Sequence, residues 1–276
     1  MGRPQVILPM LTNTRGNGED YKKTPNSEKA WEIEAYPKLL SEIRAALGPS
    51  KVISAAVPGL PRDMIAFTRD TIPQISASID FFNIMTYDLM SRRDNITKHH
   101  SGVELSLNAI NAYLENGVPP EKANLGFAFY TKWYKTDPKG GCEKNPIGCK
   151  TVLMENATTG EDLNQAGAFS WHDSVPAELE ASFSTALENA RYDSEQGGNY
   201  FWDAEENLWW SWDTPEAIIR KFPLIVEQMG LGGVFAWGLG EDAPNWTHLK
   251  ALTSAVQNTS DGKRSNSVEF QFRTEL

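Results

Sequence analysis

The chain is 276 residues long, 40 % of its residues are hydrophobic, and its formal net charge is −10 at pH 7. No apolar run approaches the roughly 20 residues that a membrane-spanning helix needs. The acidic charge repels phosphates, which excludes nucleic acids and anionic membranes as expected partners, whereas neutral ligands stay compatible with it.

Short apolar runs alternate with helical patterns along the chain. A helix is predicted from about residue 27 to 46, with Ser27 as its cap and Pro37 as a kink. Strands are predicted at residues 51–57, 81–85, 123–129 and 233–237, and further helices at 61–68, 103–115 and 245–256. This alternation, with nearly continuous apolar strands, favours an α/β fold with a parallel sheet that helices cover.

About 100 residues separate the third strand from the fourth, far more than an ordinary connection. Residues 132–212 are therefore expected to form an inserted α+β subdomain, and residues 257–276 a polar tail. Without the insertion, the chain is shorter than the roughly 250 residues of a full eight-stranded barrel. Four strand–helix units fit half of such a barrel. Its edge at residues 51–57 would be open unless residues 5–11 supply a strand.

Three features bear on the compartment of the protein. Cys142 and Cys149 lie in the turn-rich segment GGCEKNPIGC and can close a small disulfide loop, although one pair does not identify a compartment. Residues 1–14 make a poor signal peptide, because their apolar stretch is short and Pro9 interrupts it. Four N-x-S/T triplets favour a secreted protein, and they begin at Asn95, Asn156, Asn245 and Asn258. We therefore expect a secreted protein whose front part is missing from this chain.

Candidate functional side chains stand at the carboxyl ends of the predicted strands, where barrel enzymes gather their functional groups. The second strand ends in NIMTYDLM, the third in GFAFYTKWY and the fourth in GGVFAWGLGED. These ends supply Met85, Tyr87, Asp88, Tyr130 and Trp237. Aromatic rings, a methionine and a carboxylate at one mouth suit a neutral polyhydroxyl ligand that carries amide groups. The plainer alternative is that Tyr87 and Asp88 end a strand and cap a helix, while Met85 and Trp237 fill the core.

Other polar residues give weaker signals. The four histidines, at positions 99, 100, 172 and 248, show no metal-ligand spacing and are expected at the surface, and neither a metal nor a cofactor is expected. Glu241 and Asp242 either cap the last helix or line the rim of the cleft. Trp202, Trp209, Trp210 and Trp212 either fill a core or, as a group, contribute to sugar binding.

The strand ends resemble those of glycoside hydrolase family 18 chitinases of the fungal type. NIMTYD matches the M-x-Y-D strand of that family, and GGVFAWGLGED resembles its last strand, whose Trp floors the site. ISAAVPG and LGFAFY resemble the strands between, and GNGEDY resembles the stretch after the catalytic strand. The resemblance covers about residues 16–252 and implies a TIM (β/α)8 barrel, with about the last four units in residues 16–256.

The resemblance also implies roles for these residues. Tyr87 would donate a hydrogen bond to the N-acetyl group of the substrate, Asp88 and Met85 would line the same subsite, and Trp237 would stack beneath the sugar. Tyr130 would line the cleft. The implied ligands are chitin or N-acetylglucosamine oligomers, and the implied location is extracellular. The family reaction is retaining hydrolysis of β-1,4 links, with the acetamide of the substrate as nucleophile and one Glu as acid.

The strand that carries this acid, with the pattern D-x-x-D-x-D-x-E, is absent from the sequence. Glu19 and Asp20 would lie in the loop after that strand, too far along the chain to replace the acid. We therefore expect a chitinase by family whose present chain is truncated at its N-terminus and inactive alone. Two alternatives remain: a non-catalytic remnant that binds chitin or glycans, and an endo-N-acetylglucosaminidase that acts on N-linked glycans.

Overall fold

The computed structural model describes residues 5–8 and 26–262, and a parallel sheet is its central element. Its five strands are β1 (Gln5–Leu8), β2 (Val52–Pro58), β3 (Phe81–Met85), β4 (Ala123–Ala128) and β10 (Gly233–Trp237). They lie side by side in the order β1-β2-β3-β4-β10, and every neighbouring pair is parallel. All carboxyl ends therefore meet at one edge of the sheet. Among the described strands this sheet does not close into a barrel.

Helices cover one face of the parallel sheet. They are α1 (Trp31–Leu47), α2 (Ile72–Ser78), α3 (Val103–Glu115), α5 (Pro215–Lys221) and α6 (Thr247–Gly262), and a π-helical turn spans Phe222–Glu227. The main core lies between these helices and the sheet, where Ile53, Phe82 and Leu125 are fully buried. None of the described helices is both long and apolar enough to cross a membrane.

A second, antiparallel sheet lies in sequence between β4 and β10. Its strands are β5 (Tyr130–Lys135), β6 (Ala166–Ser170), β7 (Arg191–Asp193), β8 (Gly198–Asp203) and β9 (Leu208–Trp212), in the order β6-β5-β9-β8-β7. Helix α4 (Glu180–Glu188) packs on it. Trp209, Trp210 and Trp212 are buried in its hydrophobic clusters, which favours core filling over sugar binding for these three.

Strand β5 enters this second sheet and β9 leaves it, and the two strands pair with each other, with Lys132 opposite Ser211. Only Phe129 lies between β4 and β5, so the second sheet begins directly at the mouth of the first. The disulfide between Cys142 and Cys149 closes a loop after β5. That loop is held to the preceding segment through Thr97, whose N–H donates to the Cys149 carbonyl at 2.9 Å.

One predicted element was wrong. Residues 61–68 were predicted as a helix, but only a 3₁₀ turn at Pro61–Asp63 forms there, and the helix lies later, at α2. The Thr71 hydroxyl accepts from Thr68 N–H at 2.9 Å and donates to the Ala66 carbonyl at 2.6 Å, which folds the intervening residues into a turn. The strand that the sequence left open for residues 5–11 forms as β1, at Gln5–Leu8 beside β2. Helix α6 continues past the predicted residue 256, where Thr259 donates to Glu227 at 3.0 Å.

Candidate functional site

The end of β3 is fixed to β4 by Thr86. Its hydroxyl donates to the Gly126 carbonyl at 2.7 Å and accepts from Gly126 N–H at 2.9 Å. A side chain at Gly126 would collide with Tyr87, since a Cβ there would lie 2.9 Å from the Tyr87 ring. The glycine therefore lets the Tyr87 ring lie against β4. This arrangement sets the position of the two residues that follow Thr86.

Asp88 is the centre of a hydrogen-bonded group at the mouth of the sheet. Its backbone is left-handed, with φ of 55°, a conformation that Asp adopts more readily than most residues. Tyr130 OH donates to Asp88 Oδ1 at 2.8 Å, and Lys132 Nζ donates to the same oxygen at 2.9 Å. The Asp88 side chain is nevertheless 47 % exposed. Its carboxylate is thus held from behind and presented to the cleft as an acceptor.

The charges around Asp88 keep its carboxyl group ionised. Partial desolvation acts to raise its pKa, but the positive charge and hydrogen bond of Lys132 and the hydrogen bond from Tyr130 hold it below the ordinary value. Burial and the neighbouring Asp88 carboxylate raise the pKa of Tyr130 well above its ordinary value. Tyr130 therefore keeps its proton and donates it to the hydrogen bond with Asp88.

Tyr87 lies at the junction of three aromatic side chains. Its ring stands edge-on to Tyr130, with centroids 6.2 Å apart, and to Phe235 of β10, with centroids 6.1 Å apart. Met85 packs against the same cluster and also against the main core. These contacts place Met85, Tyr87 and Asp88 along one wall of a cleft of about 370 Å³, which Lys132 also lines.

A second, larger cavity of about 590 Å³ adjoins the first one, and Ala168 of β6 lines both. Tyr130, Trp237 and Glu241 line this larger cavity. Trp237 is 59 % exposed there, so it is not a core residue. Partial desolvation and the nearby Asp173 carboxylate raise the pKa of Glu241, although a hydrogen bond from Trp237 acts in the opposite direction.

Charged pairs line the outer part of the smaller cavity. Arg92 bridges to Glu155 at 3.4 Å and to Asp162 at 3.1 Å, which ties the loop after β3 to the region of the second sheet. Arg93 pairs with Asp63 at 2.7 Å. The wall between the two sheets is therefore held in place by ion pairs, while Tyr87 and Asp88 line another part of the same cavity.

The structure brings the predicted site residues together at one edge of the parallel sheet. Met85, Tyr87 and Asp88 share the smaller cavity, and Tyr130 and Trp237 line the larger one. The two acidic residues after β10 were predicted either to cap the last helix or to line the cleft, and each takes a different one of these roles. Glu241 lines the cleft. Asp242 is buried, and it accepts from the His248 and Leu249 N–H groups at 3.2 and 3.0 Å. Glu19 and Asp20 lie outside the described residues.

The expectation that the histidines lie at the surface was wrong for three of the four. His99, His100 and His248 are buried. His248 stacks on Phe129 and Trp171, each at a centroid distance of 5.5 Å, and its ring binds Asp242 through Nδ1 at 2.6 Å. For His248, aromatic packing and hydrogen bonds to buried partners thus replace the contacts with water that a surface histidine would make. Within the described ranges, no group of three or more His, Cys, Asp or Glu side chains could hold a metal ion.

Sequence analysis missed two residues next to Asp88. Lys132 follows Tyr130 by two positions in a strand, and side chains at that spacing lie on one face of the sheet. The two-residue spacing therefore could have indicated that Lys132 lies on the same side as Tyr130. His100 is fully buried, and its Nδ1 lies 3.9 Å from Asp88 Oδ1. No pattern in the sequence pointed to His100, because this contact depends on how the loop after β3 folds back.

Comparison with known proteins extends over most of the chain. The model of the family "Glycosyl hydrolases family 18" matches residues 17–242. Chitinase C of Streptomyces lividans is 27 % identical over 245 residues, which are 82 % of this chain and 35 % of that protein. Chitinase A1 of Niallia circulans is 26 % identical, over 79 % of this chain and 32 % of that protein. The chain thus spans about a third of the length of these relatives.

Solved structures show the fold. A GH18 chitinase from Cycas revoluta in complex with (GlcNAc)3 superposes with a TM-score of 0.60 at 22 % identity, over 82 % of this chain and 64 % of that one. The Group IV chitinase of Ostrinia furnacalis gives a TM-score of 0.64 at 18 % identity, over 81 % of this chain and 62 % of that one. The architecture is therefore of the α/β TIM-barrel type.

Proposed function

The chain belongs to glycosyl hydrolases family 18, and we propose that it is the part of a chitinase that binds N-acetylglucosamine oligomers in the cleft between its two sheets. One observation carries the proposal. An ionised Asp88, held by Tyr130 and Lys132, lines the smaller cavity, and Tyr130 also lines the adjoining larger cavity together with the exposed Trp237. A fixed acceptor in one cavity and an exposed aromatic ring in the adjoining one suit a ligand with N–H and O–H donors on an apolar sugar face.

Each site residue then has a part in binding. The Trp237 indole stacks beneath one sugar ring, and Tyr87 donates a hydrogen bond to the N-acetyl oxygen of that unit. Asp88 accepts a hydrogen bond from the ligand through the oxygen that does not bind Tyr130 and Lys132. Met85 fills the apolar end of the same subsite, and Tyr130 supports Asp88. The contacts of Tyr87 with Phe235 and Tyr130 support this assignment, because they fix the ring at the cleft wall.

For the whole protein we propose retaining hydrolysis of β-1,4 links in chitin, with the acetamide oxygen of the substrate as nucleophile. The reaction requires a general acid within hydrogen-bond reach of the leaving oxygen. The 276 residues contain no D-x-x-D-x-D-x-E segment. We therefore propose that this chain binds the oligomer but does not hydrolyse it alone. On this view β2, β3, β4 and β10 are the last four strands of the barrel.

Three finer assignments belong to the same proposal. Residues 132–212 form a subdomain inserted before the last strand, which supplies the outer wall of the cleft. The whole protein acts outside the cell, where polymeric chitin is accessible. The assignment of the chain to the fungal type of family 18 chitinase is a prediction that rests on the sequences at the strand ends.

Calorimetric titration of the chain with (GlcNAc)4 tests the binding proposal. We expect measurable binding, and we expect Trp237→Ala and Tyr87→Phe each to weaken it by about tenfold, the loss that corresponds to roughly 1.4 kcal/mol. Leu187→Ala, an exposed position on α4, is the matched control and should bind like the unchanged chain. Binding that neither site variant alters would overturn the assignment of the site.

The hydrolysis proposal needs a separate assay with a fluorogenic N,N′-diacetylchitobioside. We expect no turnover by the 276-residue chain and turnover by a longer chain that adds the D-x-x-D-x-D-x-E strand. General acid catalysis contributes about 10²–10⁴-fold, so the difference should be at least of that order. Turnover by the present chain that Tyr87→Phe abolishes would contradict the proposal that it is inactive alone.

A further inference from the structure

Trp246 stands on a left-handed turn between β10 and α6. Asn245 and Trp246 have φ values of 64° and 57°, so two consecutive non-glycine residues adopt the left-handed conformation. Such a backbone is uncommon, particularly for a bulky residue, and it persists only where the surrounding structure fixes it. The Trp246 side chain is nevertheless 49 % exposed. Burial of the indole therefore does not explain why the turn holds this conformation.

The base of this turn is firmly anchored. Buried Asp242 accepts hydrogen bonds from Ala243 N–H at 2.6 Å and from the backbone and ring of His248. Trp246 N–H donates to the Ala243 carbonyl at 3.0 Å. The indole is thus presented to solvent from a fixed support.

Trp246 lies near the larger cavity, because its ring contacts His172, the neighbour of the lining residue Asp173. Trp171 N–H donates to the Glu241 carbonyl at 3.0 Å, which joins the turn at residues 170–173 to the segment between Trp237 and Trp246. Ser170, Asp173 and Glu241 line the cavity. The Trp246 ring meets the neighbouring His172 edge-on, with centroids 6.2 Å apart. The contacts of Trp171 with Glu241 and of His172 with Trp246 therefore link the lining of the cavity that holds Trp237 to the exposed Trp246.

We propose that Trp246 forms an outer sugar subsite, where its indole stacks on a pyranose ring of an N-acetylglucosamine oligomer that extends beyond Trp237. The inference rests on the proposed function, since it takes the ligand to be the same oligomer. Three features support it: the exposed ring, its fixed left-handed support, and its contact with His172 beside the lining of the larger cavity. A flat indole gives large contact area at a low cost in conformational entropy, which suits the weakly polar face of a sugar ring.

The dependence of affinity on oligomer length tests this subsite. Calorimetric titrations with (GlcNAc)3 and (GlcNAc)6 are expected to show tighter binding of the longer ligand by the unchanged chain. Trp246→Ala should weaken the binding of (GlcNAc)6 by about tenfold and leave that of (GlcNAc)3 unchanged. Trp246→Tyr, which keeps a flat ring, should retain most of the gain with length. Leu187→Ala again serves as the control for an exposed apolar side chain.

The possible outcomes separate the two proposals. No binding of either oligomer by the unchanged chain overturns both the proposed function and the outer subsite. Binding whose gain with length survives Trp246→Ala overturns the outer subsite alone. Trp246→Gly provides a second variant that removes the ring without straining the turn, because glycine adopts a φ near 57° freely. The melting temperature of this variant should not fall below that of the unchanged chain. Self-association that Trp246→Ala abolishes, with oligomer affinity unchanged, would assign the indole to a protein contact and contradict the inference.

Discussion

At the scale of single residues, Lys132 controls the protonation of the carboxylate that faces the cleft. Its ammonium lies 2.9 Å from Asp88 Oδ1 and helps to hold the pKa of Asp88 below the ordinary value, against partial desolvation. We predict that Lys132→Met raises this pKa, because the desolvation then lacks its main opponent. The acid limb of a pH–affinity profile for (GlcNAc)4 should therefore move to higher pH.

The sign of the linked stability effect follows from the same pKa. Since the folded-state pKa of Asp88 lies below the unfolded value, its stabilising contribution is present at neutral pH and is lost as the pH falls through the folded-state pKa. Lys132→Met should remove that contribution, whereas Lys132→Arg, which keeps the cation, should preserve it. An acid limb that does not move in Lys132→Met would show that Asp88 is not the titrating acceptor.

His100 is a buried imidazole whose two ring nitrogens have no hydrogen-bond partner among the described residues. Burial lowers its pKa to about 3, so the ring is neutral. We predict that His100→Phe, which keeps a ring against Tyr130, raises the free energy of unfolding by about 1 kcal/mol. The reason is that the substitution removes two buried ring nitrogens that make no hydrogen bond in the folded protein. Chemical denaturation should measure this gain, and the gain should grow as the pH falls from about 6.5 towards 3.

The neighbouring His99 provides the control for this prediction. Its Nε2 binds Asp193 Oδ2 at 3.1 Å, so His99→Phe removes a hydrogen bond that is made. We expect His99→Phe to destabilise the protein, opposite in sign to His100→Phe. A loss of stability in both variants would mean that ring packing, and not hydrogen bonding, decides the effect.

Sequence patterns located some site residues and missed others for physical reasons. Met85, Tyr87 and Asp88 stand at the end of a short apolar strand. The carboxyl ends of parallel strands meet at one edge of the sheet, where barrel enzymes gather their functional groups. The buried histidines were mispredicted, because their burial depends on partners far along the chain, such as Asp213, whose carbonyl lies 3.0 Å from His248 Nε2. No local pattern contains that information.

At the scale of elements, the loop between Cys142 and Cys149 supports the segment that leads into the two histidines. Thr97 Oγ1 donates to the Pro146 carbonyl at 2.6 Å. We predict that replacing both cysteines by serine lowers the free energy of unfolding by about 2–3 kcal/mol, the effect of opening a small loop. Urea denaturation measures it, and reduction of the unchanged chain should give the same loss.

Intact mass provides an independent check on this disulfide. The unreduced chain should weigh about two mass units less than the reduced chain, because two thiol hydrogens are absent from a disulfide. Two thiols that alkylate freely in unreduced secreted material would contradict the disulfide and the stability prediction together.

Several elements were predicted with the bounds that the structure shows. The strand at Phe81–Met85 and the helix at Val103–Glu115 have the predicted bounds, and Gly117 follows the helix with φ of 101°, a conformation open to glycine. The short helix α2 was missed, because the predicted helix was placed earlier, over residues that hydrogen bonds of Thr71 fold into a turn. The start of α2 thus depends on local side-chain hydrogen bonds, which the apolar pattern does not show.

At the scale of the whole molecule, the parallel sheet has an open edge at β10, whose one neighbour among the described strands is β4. Unpaired strand edges invite association with another chain. We predict that the 276-residue chain associates as its concentration rises, measured by light scattering after size-exclusion chromatography. A monodisperse monomer with a cooperative melt across the concentration range would contradict this prediction. At the other edge β1 pairs with β2 and is itself an edge strand among the described residues, so association there is also expected.

The pairing of β5 with β9 has a consequence for how this cleft can change in evolution. Because the chain enters and leaves the second sheet through neighbouring strands, with Lys132 opposite Ser211, the intervening stretch begins and ends at nearly one point. Its length and content can vary at little entropic cost to the parallel sheet. The stretch between Lys132 and Ser211 can therefore be replaced as one contiguous piece, while Met85, Tyr87 and Asp88 after β3 and Trp237 on β10 keep their places at the edge of the parallel sheet.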